Sequence, residues 1–96
     1  MEIKVNFSGF ECVVKKAQYG NGRTALRLID VEDGSPVAVA TVNLPDVELE
    51  ADEVLIKTYS ENAGMLETLI DAGVIEDTGK NVQSGYVVLP VCKLLF

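Results

Sequence analysis

Residues 10–31 have the sequence FECVVKKAQYGNGRTALRLIDV and carry the strongest structural signal in the chain. Two runs rich in apolar and β-branched residues, 10–19 and 23–31, flank the triplet Gly20-Asn21-Gly22. Asn-Gly between such runs is a strong hairpin signal, because a type I′ turn needs positive φ at both of its central residues. The stretch therefore predicts two antiparallel strands joined by a tight turn.

Four further runs predict strands on either side of this hairpin. Residues 3–7 alternate polar and apolar side chains, which is typical of a half-buried strand. Residues 37–44 are apolar on both faces and predict a central strand, and residues 54–57 predict a short one. Residues 86–96 predict a last strand in which Pro90 indicates an edge position or a bulge, because proline cannot donate to the ladder. Turn signals separate the strands at Gly9, 32–36, 78–81 and 84–85.

One helix is predicted at about residues 60–72. Ser60 can act as its N-cap, and Gly73 followed by apolar Val74 predicts a Schellman stop. Strands, one helix and a further strand together predict an α+β fold, in which the helix packs on one face of a curled antiparallel sheet of five to six strands. The sheet is predicted to be a meander, with a partly closed barrel as its close variant. The apolar positions that define one face of the helix are Met65, Leu66, Leu69 and Ile70.

The composition predicts one compact domain, residues 1–96, because 96 residues and 10.4 kDa match the size of a single domain. The net charge of −7 disfavours direct binding to nucleic acid or to an anionic membrane, since both would repel the chain. No apolar run is long enough to span a membrane, and the N-terminus lacks a secretory signal pattern, so a cytoplasmic protein is expected. Cys12 and Cys92 lie in apolar segments and are predicted to be buried free thiols.

Charge is distributed very unevenly along the sequence. Residues 30–77 contain 13 of the 15 acidic residues and a single basic one, Lys57. This half therefore carries a charge of −12, whereas the rest of the chain carries +5. Such asymmetry indicates an interaction surface if the acidic side chains converge in the fold.

The densest acidic stretch is residues 46–53, DVELEADE, in which carboxylates alternate with apolar residues up to Asp52. In an extended chain these carboxylates line one face about 6.6–6.8 Å apart. A row of this kind fits a basic groove built for nucleic acid, and the alternative is an edge strand that uses charge against aggregation. The predicted partner-binding residues are Asp46, Glu48, Glu50, Asp52 and Glu53.

The residues give little support for catalysis, and no cofactor motif is present. Histidine is absent, so no imidazole can activate a serine or cysteine nucleophile. Residues 30–34 begin like a calcium loop, but the EF-hand pattern fails because Thr41 stands where its final Glu is needed. A metal-assisted hydrolase using the carboxylates of residues 46–53 remains an alternative.

Four segments are distinctive: residues 21–25 (NGRTA), 36–45 (PVAVATVNLP), 59–66 (YSENAGML) and 90–95 (PVCKLL). Through them the chain resembles, over most of its length, a family of small uncharacterised proteins from bacterial mobile elements and phages. Small acidic proteins of such elements are often accessory factors, including inhibitors of host defence such as anti-CRISPR proteins. The resemblance implies this context and assigns no site residues.

The leading hypothesis is a small non-enzymatic interaction protein that docks its acidic face on a basic surface of a larger protein. That partner is expected to be a nucleic-acid-binding protein, which the docking would block, and steering by charge would make binding sensitive to salt. Two alternatives to this hypothesis remain: the metal-assisted hydrolase, and a self-assembling protein or homodimer that pairs through Phe96 and the apolar C-terminal strand.

Overall fold

The structure is a computed structural model that describes residues 2–96. Within this range the chain forms eight strands, one short 3₁₀ helix and one short α-helix. In chain order these are β1 (Ile3–Phe7), β2 (Phe10–Gln18), β3 (Thr24–Asp30), β4 (Pro36–Val39), β5 (Thr41–Val42), β6 (Glu53–Ile56), the 3₁₀ helix (Ser60–Asn62), α1 (Met65–Asp71), β7 (Ile75–Ser84) and β8 (Val87–Leu94).

The strands form two separate antiparallel sheets. The first has the order β1-β2-β3-β4, and the second has the order β5-β6-β8-β7. The α+β class is confirmed, since one short helix accompanies mostly antiparallel sheet. The predicted single sheet of five to six strands is wrong, and neither sheet closes into a barrel.

The division into two sheets occurs at Ala40, inside the run that predicted one central strand. The Ala40 N–H donates to the carbonyl of Leu26 in β3 at 2.8 Å, and its own carbonyl accepts from the N–H of Lys57 at 2.8 Å. Ala40 thus bonds to the first sheet on one side and to the end of β6 on the other. Residues 37–44 are apolar on both faces because the chain passes from one sheet to the other, and β4 and β5 are edge strands.

The hairpin of β2 and β3 is confirmed, but its turn differs from the prediction. Gly22 has φ of 86°, whereas Asn21 does not have positive φ. The Gly22 N–H donates to the Tyr19 carbonyl at 2.9 Å, so the connection is a three-residue loop ending in a left-handed glycine. A turn with positive φ at both central residues joins β1 to β2 instead, at Ser8 (52°) and Gly9 (84°).

The helix is shorter than predicted and starts later. Ser60 has φ of 55° and opens the 3₁₀ helix without acting as a side-chain cap. Gly64, with φ of 88°, then separates this turn from α1 and stands at the N-cap of α1. The predicted Schellman stop is confirmed, because Gly73 donates to Ile70 and Val74 donates to Leu69, each at 3.0 Å.

Residues 78–81 were predicted as a turn and lie instead inside β7. The pairing with β8 shifts between Asp77 and Asn81, so that three residues of β7 stand opposite Val91 alone. The Asp77 carboxylate accepts from the Gly79 N–H at 2.9 Å, which holds the bulge. These turn-forming residues therefore form a bulge within a strand. Pro90 stands opposite Asn81 and adjoins this bulge, as its sequence predicted.

Two apolar clusters stabilise the fold. The main core joins both sheets to α1, whose Met65 and Leu69 are fully buried in it. Both thiols lie in this core as free cysteines, as predicted. The second core lies under the β7–β8 hairpin, where buried Leu55, Leu89 and Val91 contact half-buried residues of several segments: Val42, Leu44, Val47, Leu49, Tyr59, Val82 and Val87.

No helix within residues 2–96 has the length and apolar character needed to cross a membrane.

Candidate functional site

Residues 46–53, hereafter the acidic segment, connect β5 to β6 without forming a strand until Glu53. A turn begins it, in which the Val47 N–H donates to the Leu44 carbonyl at 3.0 Å, and another ends it, in which the Glu53 N–H donates to the Glu50 carbonyl at 3.0 Å. The predicted extended row across the whole segment is therefore not formed.

The first part of the acidic segment nevertheless keeps the alternation that its sequence predicts. Val47 and Leu49 are half-buried and pack against the second core. Asp46, Glu48 and Glu50 are exposed between and beside them. The apolar residues thus hold the segment to the protein and leave three carboxylates on its solvent side.

Arg23 holds the acidic segment from beneath. Its guanidinium donates to the carbonyl of Leu44 at 2.8 Å and also to the carbonyl of Val47. Arg23 follows the β2–β3 turn, so the two contacts tie the first sheet to the start of the segment. Sequence reasoning missed this residue, because no local pattern relates position 23 to carbonyl groups more than 20 positions away.

Glu53 lies at the other end of the segment and has an internal role. Its Oε2 accepts from Lys80 Nζ at 2.7 Å, and its Oε1 accepts from the Glu50 N–H at 2.9 Å. Its side chain is only 8% exposed. The bond to Lys80, followed by the bond to the backbone N–H of Glu50, lowers the pKa of Glu53. Glu53 is thus a neutralised structural carboxylate at the start of β6.

Asp52 and the start of β6 also lie close to a positively charged side chain, that of Lys93. Lys93 of β8 stands directly opposite Glu53 on one side and Glu76 on the other. Its Nζ lies 3.9 Å from Asp52 Oδ2, and both side chains are about half exposed. Lys80 and Lys93, which belong to the basic part of the sequence, therefore enter the surface formed by the acidic part.

Three of the five predicted docking residues form no ion pair in the described part of the chain, although the charge of Glu50 contributes, after the bond to Glu53, to the raised pKa of Lys80. Within residues 2–96, Asp46, Glu48 and Glu50 have no lysine or arginine nitrogen within 4.0 Å. Glu48 and Glu50 line a shallow groove together with Leu49, Arg23 and Lys80. The surface is therefore a carboxylate ridge beside a groove of mixed charge, and not the unbroken acidic row that was predicted.

Other acidic residues of the sequence accept hydrogen bonds that stabilise turns. In the β3–β4 connection, Asp30 Oδ1 accepts from the Glu32 N–H, and Asp33 Oδ1 accepts from the backbone and the hydroxyl of Ser35. The bond to the Ser35 hydroxyl is the main reason that the pKa of Asp33 is lowered. These carboxylates close the loop that began like a calcium site.

Metal-ligating side chains and thiols are the remaining groups of chemical interest in the described part of the chain. In residues 2–96, no three cysteine, aspartate or glutamate side chains come together in a group able to hold a metal ion. Burial raises the pKa of Cys92 to about 12, with a smaller contribution from the charge of Asp77, and burial also raises the pKa of Cys12. Both thiols are therefore poor nucleophiles.

No protein-family model, no curated protein and no solved structure matches this chain. The resemblance to proteins of mobile elements and phages stays a prediction from the sequence.

Proposed function

We propose that this protein is a non-enzymatic, cytoplasmic binding protein that docks Asp46, Glu48 and Glu50 on a basic surface of a larger protein. The observation that carries the proposal is the combination of three exposed, unpaired carboxylates with a segment fixed by apolar contacts and by Arg23. A fixed segment loses little conformational entropy on binding, so its charges can act together.

The proposed partner is a nucleic-acid-binding protein whose cationic groove the carboxylates occupy. Lysine and arginine side chains that bind phosphates can also bind carboxylates, and docking there blocks the groove. The net charge of −7 steers the encounter and makes it weaken as salt rises. This mode of action is compatible with the anti-defence inhibitors that the resemblance implies.

The buried thiols favour a binding protein over an enzyme. A thiol with a raised pKa is protonated at neutral pH and does not attack a substrate. The chain has no histidine that could deprotonate a serine. Binding through a surface of fixed charges requires none of these groups.

The test compares two triple variants with the same change in net charge. Asp46→Lys/Glu48→Lys/Glu50→Lys reverses the ridge, while Glu11→Lys/Glu32→Lys/Asp71→Lys reverses three exposed carboxylates in other parts of the fold. Each protein is immobilised and exposed to nuclease-treated bacterial lysate. A captured protein is then purified, and its affinity for nucleic acid is measured with and without the wild-type chain.

The proposal expects capture by the wild type and by the control triple, loss of capture by the ridge triple, and competition between the wild type and nucleic acid. Equal loss with both triples would show that net charge alone drives capture and would contradict docking through the ridge. A captured protein whose nucleic-acid binding is unaffected would contradict the blocking mechanism.

A further inference from the structure

Three of the four sheet edges in the described part of the chain are short or occupied. Strand β5 has two residues, and β4 starts at a proline and has its Val39 carbonyl bonded to Asn62 Nδ2 at 2.8 Å. Strand β1 has five residues, half the length of β7, and contacts α1. Natural sheets protect their edges in such ways, because unpaired backbone groups recruit another strand.

The fourth edge, that of β7, is protected in its first half by the charged residues Glu76, Asp77 and Lys80 and by its bulge, and its second half lacks these features. Strand β7 has ten residues and pairs only with β8, at the end of the second sheet. Beyond the bulge, residues 81–92 contain no charged residue. The nearest edge cation, Lys80, is already bonded to Glu53.

The turn of the β7–β8 hairpin fixes which backbone groups face this edge. Gly85 has φ of 59° and starts a two-residue turn between the paired residues Ser84 and Val87. The residues that flank such a turn exchange hydrogen bonds with each other, and the pattern then alternates along the ladder. The N–H and C=O of Gln83 therefore point away from β8.

Asn81 has the same orientation as Gln83, since the two are separated by two positions in a strand. Its cross-strand neighbour is Pro90, which has no backbone N–H and so cannot donate a hydrogen bond. No backbone bond joins either residue to a segment other than β8 within residues 2–96. The edge thus presents two consecutive sets of outward N–H and C=O groups.

We propose that this edge pairs with the same edge of a second copy of the chain, antiparallel, about a two-fold axis at Val82. Asn81 of each copy then stands opposite Gln83 of the other, and the outward groups form four hydrogen bonds. The two Val82 side chains meet on the face that continues the second core. The dimer joins two four-stranded sheets into one of eight strands.

A second copy fits this edge better than a charged partner does. In a two-fold interface the same surface patch of each copy faces the other. A charged residue in that patch would therefore lie near a like charge and be repelled by it. The uncharged residues 81–86 let two chains of charge −7 approach with the least repulsion. Two exposed apolar side chains, Tyr86 and Val88, lie next to the pairing residues. The contact is short, so a weak, concentration-dependent dimer is expected.

The self-assembly mode suggested by the sequence is not the one proposed. Strand β8 lies inside the second sheet, with β6 on one side and β7 on the other. The Phe96 carbonyl accepts from Lys16, whose Nζ lies 4.6 Å from the centre of the Phe96 ring. The C-terminal strand therefore has neighbours on both sides, and the free edge belongs to β7.

Sedimentation velocity over a range from micromolar to millimolar concentration tests the dimer. The proposal expects the mass to rise from 10.4 kDa toward twice that value. Gln83→Pro removes an N–H that makes no bond within the chain, so we expect the fold to persist and the dimer affinity to fall at least tenfold. Gln83→Lys places a charge near the two-fold axis and should have the same effect with less demand on the backbone.

The matched control is Gln18→Lys, which adds the same charge at an exposed position of the inner strand β2. It should leave the dimer unchanged, and reversal of the carboxylate ridge, which lowers the repulsion between two chains of charge −7, should not weaken it. A monomer at every concentration would overturn the proposal, and a dimer that survives both Gln83 variants would overturn this edge as its interface. Because the ridge triple should still dimerise, failure of the docking proposal is distinguishable from failure of this one.

Discussion

Lys15 and Arg27 stand directly opposite each other on β2 and β3, and both side chains are exposed. Neither forms an ion pair within residues 2–96. Directly opposed residues of an antiparallel pair project from the same face, so two positive charges lie close together on the first sheet. The repulsion between these two positive charges, which belong to the basic part of the sequence, therefore destabilises the first sheet locally.

Replacing Lys15 with glutamate should stabilise the protein. Lys15→Glu converts a like-charge pair into an opposite pair, which we expect to raise the free energy of unfolding by about 0.5–1 kcal/mol. Urea denaturation at low ionic strength measures the change. Lys4→Glu is the matched control, because Lys4 stands opposite the uncharged Val13. An equal effect of both variants would refute the cross-strand explanation.

The ion pair of Lys80 and Glu53 should stabilise the fold in a pH-dependent way. The pKa of Glu53 is lowered in the folded protein, chiefly by its bond to Lys80. Its contribution is therefore complete above the ordinary glutamate pKa of about 4.3 and is lost as the pH falls through the lowered value. Lys80→Met should lower the free energy of unfolding only slightly at pH 7, since Lys80 is largely exposed and water screens the pair.

The same substitution should have a smaller effect at pH 2, because Glu53 loses its charge as the pH falls through its lowered pKa. Denaturation with urea at pH 7 and pH 2 measures both differences. Lys4→Met removes the same charge from an exposed residue without an ion pair and should show no such pH dependence. A difference for Lys80→Met that is equal at the two pH values would count against the pair.

Local signals in the sequence predicted several elements well, because their causes lie within a few residues. The hairpin at Gly22 and the helix stop at Gly73 both depend on a glycine in the left-handed region. The alternation of Val47 and Leu49 with carboxylates likewise predicted which side chains face solvent. Each of these predictions needed only the periodicity and turn chemistry of one segment.

Features that depend on distant partners were not predictable in this way. The chain changes sheets at Ala40 because Leu26 in β3 and Lys57, directly after β6, both bond to it. Lys80 is remote from Glu53 in sequence, and its turn-like neighbours gave no sign that they form a bulge within β7. Charge counted along the sequence could not show which lysines the fold would insert among the carboxylates.

Arg23 should control the order of the carboxylate ridge. Arg23→Met removes the donors to Leu44 and Val47, and we expect the free energy of unfolding to fall by about 1–3 kcal/mol. The amide hydrogens of residues 47–53 should then exchange faster relative to those of the main core. Hydrogen-exchange mass spectrometry measures this difference.

Arg27→Met serves as the control for Arg23→Met, because Arg27 is exposed on the neighbouring strand and makes no such bond among the described residues. It should leave exchange in the acidic segment unchanged. If the ridge exchanges at the wild-type rate in Arg23→Met, the apolar contacts of Val47 and Leu49 suffice to hold it, and the proposed role of Arg23 is wrong.

The two thiols should be protected from alkylation in the native protein. Cys12 and Cys92 are fully buried, and Cys92, with a pKa raised to about 12, has roughly one thiolate per ten thousand molecules at pH 8. Unfolding restores both access and an ordinary pKa of about 8.5, so we expect iodoacetamide to react at least about a hundredfold faster in urea. The variants Cys12→Ser and Cys92→Ser assign the rate of each remaining thiol by mass spectrometry. Fast alkylation of Cys92 in the native state would mean that β8 opens independently of global unfolding, which its position inside the second sheet argues against.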